Sequence, residues 1–160
     1  IKLEYLLKNL ILYGNFYYLI NPRDQAGVGF TAGRPLSALQ IATGSDVNSV
    51  PDIYSMRIGA NFNYNKWAFS AGLRDEGAPV NDLFGSSNGV RRAGYTLSVE
   101  PGILYKMKKV TLYAYIPFTV SHSIKQNMPD KIQSKITGVY TVGAGGSGDY
   151  QVFIGAQFKL

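Results

Sequence analysis

With 160 residues, 46% of them hydrophobic and only 16% charged, the chain carries enough apolar side chain to offset the entropy of ordering, which excludes disorder. The absence of Cys excludes disulfides and thiolate metal sites, and no stretch approaches the roughly 18 to 20 consecutive apolar residues of a membrane-spanning helix. A net charge of +6 bears on solubility and association rather than on fold, and 18 Gly beside 12 Tyr is the compositional oddity to explain.

Taken in chain order, period two dominates, which predicts strands rather than helices. The chain starts at Ile1 inside such a pattern, without an initiator Met, and a first strand is expected over Ile1–Leu6. Leu10–Ile20 follows as the least clean alternation. Over Ile53–Tyr64 the two faces are sharply different, with Tyr54, Met56, Ile58, Ala60, Phe62 and Tyr64 against Ser55, Arg57, Gly59, Asn61 and Asn63. Asn65-Lys66 is a two-residue hairpin signal. Trp67–Glu76, Tyr95–Lys106, Val110–Ser121 and Tyr150–Leu160 complete seven expected strands. Pro101 and Pro117 each remove a ladder donor and predict a bulge or a broken ladder.

The longer runs last about 10 to 12 residues, near the 9 to 11 that a tilted strand needs to cross a bilayer. Connections alternate too: 65–66 and 107–109 are tight, whereas 21–52, 77–94 and 122–149 are long and rich in Gly, Ser, Asn and Pro. Aromatics gather at the strand ends, with Tyr18, Tyr54, Tyr95 and Tyr150 beside the long loops and Tyr64, Trp67, Tyr105 and Phe158 at the other end. Alternation, asymmetric connections and two aromatic belts together predict an all-β fold, an antiparallel transmembrane β-barrel of outer-membrane type with short periplasmic turns and long extracellular loops. The competing architecture is a soluble β-sandwich, whose strands also alternate but are shorter and have no reason to carry two aromatic rings. An odd strand count and a start inside a strand predict that residues 1–160 are one barrel domain forming the C-terminal part of a larger barrel.

Three segments carry a family resemblance. Residues Gly72-Leu73-Arg74-Asp75-Glu76-Gly77-Ala78-Pro79-Val80-Asn81-Asp82-Leu83-Phe84-Gly85, then Arg91-Arg92-Ala93-Gly94-Tyr95 and Ser98-Val99-Glu100-Pro101-Gly102, are similar to the C-terminal part of outer-membrane β-barrel proteins of Bacteroidota, labelled transporter-like or uncharacterised. The resemblance spans the chain and implies a Gram-negative outer-membrane location with the long loops outside. One departure is the end of the chain at Leu160, with Phe158 two residues earlier, where barrel chains often end in an aromatic.

Function is expected on the polar face, which carries Arg57, Arg74, Glu76 and Glu100 among Asn61, Asn63, Lys106, Gln151 and Gln157. Arg57, Arg74 and Glu100 are expected to form a charge network, either a constriction that sets pore preference or an internal ion-pair network that stiffens and plugs the barrel. In the loop at 77–94, Asp82, Phe84, Arg91 and Arg92 are recognition candidates, since paired arginines suit carboxylate or phosphate groups such as those of lipopolysaccharide; a loop held by an Arg to Asp82 salt bridge is the alternative.

Enzyme signatures are lacking. Gly27-Val28-Gly29-Phe30-Thr31-Ala32 fits a loose dinucleotide pattern without the strand and helix it needs. His122, the one histidine, has Ser121 and Ser123 beside it but no evident carboxylate to orient it. No metal spacing, cofactor or nucleic-acid partner is indicated, because the lysines Lys66, Lys106, Lys108 and Lys109 gather at the short turns where they suit a membrane boundary. The expected function is a channel or transporter for small polar solutes, with membrane lipids as neighbours. A non-conducting accessory subunit of a larger outer-membrane complex is the alternative.

Overall fold

A computed structural model of the chain describes residues 2–29, 31, 33–143 and 148–159. Eight strands form one sheet: β1 Lys2–Leu7, β2 Leu10–Leu19, β3 Ile53–Tyr64, β4 Trp67–Ala78, β5 Gly94–Lys106, β6 Val110–Tyr115, β7 Phe118–Ile124 and β8 Phe153–Phe158. Every ladder is antiparallel, and spatial order follows chain order from β1 to β6, with β7 beside β5 and β8 beside β6. Lys8 (φ 36°) and Asn65 (φ 54°) supply the left-handed residues of two of these turns, and Met107 N–H bonds Val110 C=O at 2.8 Å in the third. The sheet is open. Its ends are β1 and β8, and no ladder joins them among the described residues.

Eight strands rather than seven result from a break at Ile116-Pro117, which divides the expected run Val110–Ser121 into β6 and β7 along one edge of β5. The proline does not shift the register: Tyr115 lies opposite Gly102 and Phe118 opposite Val99. Slippage comes later, where Ser98 opposes Thr119 but Leu97 opposes Ser121, so Val120 is an extra residue in a bulge. Pro101 stays within β5 opposite Ala71. The last strand covers only Phe153–Phe158, and Tyr150 keeps an isolated bridge to Phe118. Ile1 and Leu160, expected at the ends of the first and last strands, lie outside the described residues.

Two of the long connections contain helices that strand periodicity does not register. Helix α1, Ala38–Thr43, starts at a Ser37–Gln40 capping box and stops at Gly44 (φ 71°). Helix α2, Met128–Thr137, starts at an Asn127–Asp130 capping box with Pro129 in its first turn, and stops at Gly138 (φ 71°).

Burial is inverted relative to a soluble domain. Among the described residues the buried hydrophobic ones are Ala68 and Ala93, each 2% exposed, whereas the buried polar set includes Asp52 (0%), Glu100 (1%), Arg91, Asn127 and Asp130. The solvent-accessible surface of 10579 Å² exceeds the about 7,900 Å² of a monomeric globular protein of this mass, as expected of a single sheet with both faces open. One face is apolar across the strands, in rows such as Leu10-Phe62-Phe69-Ile103 and Gly14-Ile58-Leu73-Val99-Phe118. The other face is polar, and the sheet curls toward it.

Candidate functional site

Three tyrosines on the polar face lie over glycines of the neighbouring strand. Tyr13 covers Gly59 and Gly72, Tyr115 covers Gly102, and Tyr113 covers Gly155. Each covers a residue directly opposite it in register, and a Cβ at any of these glycines would collide with the ring or its hydroxyl. Flattened rings leave the space above them open, which lets long side chains converge from both sides of the curl. The Gly and Tyr excess of the composition is thus explained in part as cross-strand pairs.

Glu100 of β5 is the centre of that convergence. Its Oε1 accepts from Arg57 Nη2 of β3, and its Oε2 lies 3.5 Å from Arg74 Nη1 of β4. Arg74 also donates to Glu76 Oε2 through Nε (3.0 Å) and Nη2 (2.7 Å). On the far side the same guanidiniums meet rings: Arg57 stands 5.4 Å from the Tyr115 centroid of β6 and Arg74 4.9 Å from that of Phe153 on β8. Each of these two contacts spans three strand spacings, about 14 Å in a flat sheet, so they measure the curl. The structure therefore brings Arg57, Arg74, Glu76 and Glu100 together. A cleft of ≈ 450 Å³ remains beside them, lined also by Leu104, Thr111, Tyr113 and Gln157.

The loop candidates separate into two kinds. Arg91 is buried: Nη1 and Nη2 donate to Asp82 Oδ1 (2.7 Å) and Oδ2 (2.6 Å), and Nη2 donates also to Ser49 Oγ (2.5 Å). Asp82 Oδ1 accepts in addition from Asp52 N–H at 2.9 Å. Asp52 itself accepts from Asn21 N–H (2.8 Å), Leu83 N–H (3.1 Å) and the Tyr18 hydroxyl (3.0 Å). Burial works to raise the Asp52 carboxyl, but these three donors and the nearby Arg91 outweigh it and hold the group below the usual carboxylate range. Asn127 Nδ2 donates to Arg91 C=O (2.9 Å), and Asp130 Oδ2 accepts from Gly143 N–H (3.0 Å). Asp82 and Arg91 thus hold the three long connections together, and Arg91 has no guanidinium face open to a ligand. Phe84 and Arg92 are exposed, and Arg92 forms no ion pair among the described residues. Arg92 borders a cavity of ≈ 820 Å³ enclosed by α1, α2 and the loops, with Gln40, Asn48, Gln133 and Thr141 on its wall.

The aromatic residues fall into register rows. Tyr18 opposes Tyr54, and Tyr54 and Tyr95 flank Gly77 at the loop end; Tyr64 opposes Trp67, which opposes Tyr105 at the turn end, with Trp67 and Tyr105 centroids 4.6 Å apart. Phe158 lies opposite Val110 next to the 107–109 turn. Tyr150 pairs with Phe118 (centroids 6.4 Å apart), level with Val99 rather than Tyr95.

The Val120 bulge places His122 opposite Thr96 on the polar face, and the alternation sends Ser121 and Ser123 to the other face, so His122 has neither serine beside it. Phe30 and Ala32 of the glycine-rich stretch at 27–32 lie outside the described residues. Asp75, which periodicity alone did not single out, opposes Met56 on one side and Leu97 on the other, on the apolar face. Comparison with protein-family models, with curated proteins and with solved structures finds no match.

Proposed function

We propose that this chain is the wall of a Gram-negative outer-membrane β-barrel, the C-terminal part of a larger barrel, forming a channel or transporter for small polar solutes. The inverted burial carries this reading: a continuous apolar face stands exposed across the sheet while Glu100 and Asp52 are fully buried. Monomeric soluble proteins rarely expose contiguous apolar patches beyond a few hundred Å². Against hydrocarbon the same face is satisfied, the tyrosine and tryptophan rows lie at the two water boundaries, and lysines at the tight turns reach the headgroups. Because an unpaired strand edge is not tolerated in lipid, the free edges of β1 and β8 are closed by further strands. The helices and knitted loops stand outside, where Phe84 and Arg92 face lipopolysaccharide and solutes.

In a closed barrel the Glu100 network projects into the bore and narrows it, and the adjoining cleft is the passage. One observation favours a second reading, in which the barrel is a non-conducting accessory subunit: both guanidiniums are stacked on rings across the curl, as a plug would be. Recording from the intact protein in a planar bilayer separates the two. Discrete conductance steps are expected, and a silent, correctly inserted protein overturns the channel in favour of the accessory role.

A further inference from the structure

The ≈ 820 Å³ cavity enclosed by α1, α2 and the loops has the size of a small-molecule site, about 300–1,000 Å³, and more room than a single free amino acid fills. Three charged side chains line it among the described residues. Arg91 is committed to Asp82. Arg92 is exposed and forms no ion pair with a described residue. Asp130 is 8% exposed; its Oδ2 accepts from Asn127 N–H (3.1 Å) and Gly143 N–H (3.0 Å), and its Oδ1 accepts from no described residue. The cavity therefore presents one open cation and one half-satisfied anion. Asn48 and Gln133 add side-chain amides that bond to no described residue, each with an acceptor and two donors, and Leu39, Val90 and Pro129 supply apolar wall. Arg92 also borders a second cavity of ≈ 140 Å³ with Glu76, Thr96 and His122, which form one register row across β4, β5 and β7 on the polar face. The loop cavity thus meets the polar face at Arg92, and charge alternates in sign from there through Glu76, Arg74 and Glu100.

We propose that this cavity binds a short peptide with both termini free, Arg92 taking the terminal carboxylate and Asp130 Oδ1 the terminal ammonium. Asn48 and Gln133 pair with peptide groups, which offer a donor and an acceptor together, and the apolar wall meets the peptide's side chains. Charge selects this occupant. A simple anion meets like charge at Asp130, a simple cation meets it at Arg92, and a neutral sugar leaves both without a counter-charge, with no aromatic ring among the described lining residues to stack on. A peptide zwitterion satisfies both groups and spans a cavity too large for one amino acid.

Passage of such a peptide rests on the channel reading, whereas its binding does not, so binding is measured by itself. Trialanine, its N-acetyl form and its C-terminal amide are titrated into detergent-purified protein in a calorimeter. Trialanine is expected to bind about tenfold more tightly than either blocked form, the factor a charge-assisted hydrogen bond supplies. Arg92→Gln is expected to bring trialanine and its amide to parity while the loss on acetylation persists. Asp130→Asn, which keeps a side-chain oxygen for the helix cap, is expected to do the converse. The blocked peptides read the same two contacts on the unaltered protein, so the outcome does not depend on either variant folding. Equal affinity for all three peptides, or preferences that neither substitution alters, overturns the proposal. So does dependence on the carboxylate alone, which assigns the cavity to a simple anion. A conducting barrel that binds none of the three refutes the peptide site and leaves the channel. Protein that stays in solution without detergent and still shows both preferences refutes the channel and leaves the peptide site.

Discussion

Glu100 is the residue on which the polar face converges, since it holds two guanidiniums that no other carboxylate among the described residues holds together. Removing one partner of a buried ion pair costs about 3–5 kcal/mol, because the remaining charge stays desolvated. Glu100→Ala is expected to lower stability by somewhat less than that, because both guanidiniums are partly exposed and Arg74 keeps Glu76, and, in a conducting barrel, to leave Arg57 without its counter-charge. The reversal potential across a salt gradient should then shift toward anions; an unchanged potential places the ion path elsewhere. Arg91→Ala strands Asp82 in the loop cluster at a similar cost, but the strands do not depend on that pair. Rapid proteolysis within 79–93 with retained sheet signal is the expected outcome. Asp52 adds a pH dependence. Its folded carboxyl titrates below its unfolded value of about 3.9, so its stabilisation is complete above that pH and is lost as pH falls through the lower, folded value. Loop protection against hydrogen exchange should weaken below about pH 4, and Asp52→Asn should be less stable at neutral pH and flatter in that range.

Among the elements, those with a strict two-residue period were legible. β3 has the bounds expected from its pattern, and β4 and β5 extend theirs by no more than two residues. Apolar and polar faces there differ at nearly every position, so register is fixed by chemistry. β6 and β7 were not legible as two strands, because a bulge needs only one extra residue, and Val120 continues the apolar alternation that runs through Ile116 and Phe118. Deleting Val120 is expected to give one unbroken ladder through residues 121–124, with His122 still opposite Thr96 on the polar face. A cysteine placed at 122 should then label with a water-soluble thiol reagent alike with and without Val120, and labelling that appears only on the deletion contradicts the bulge. The helices had local signals that a period-two search passes over, namely Ser-x-x-Gln and Asn-x-x-Asp followed some residues later by Gly. Asn127→Ala removes the cap of α2 and its bond to Arg91 C=O, and a loss of about 1 kcal/mol or somewhat more is expected in chemical denaturation.

For the molecule as a whole, the sequence pattern indicated which residues share a face but not how far the sheet curls. Arg74 and Glu100 on adjacent strands follow from strand order alone. Arg74 against Phe153 does not, because it depends on curvature accumulated over β5, β6 and β8. Nor did Arg91 and Arg92, adjacent in sequence, disclose that one is a buried strut and the other an exposed rim, since that division depends on loops packing from three parts of the chain. The central claim is that the apolar face is a lipid face. Trp67 tests it directly, being the one tryptophan in the chain and lying on that face at the turn end, against Tyr105. With the protein reconstituted in vesicles whose acyl chains carry bromine near the headgroup, Trp67 fluorescence should be strongly quenched and aqueous iodide should have little effect. Quenching by iodide with no effect of the brominated chains would contradict the membrane assignment and leave a soluble sheet protein.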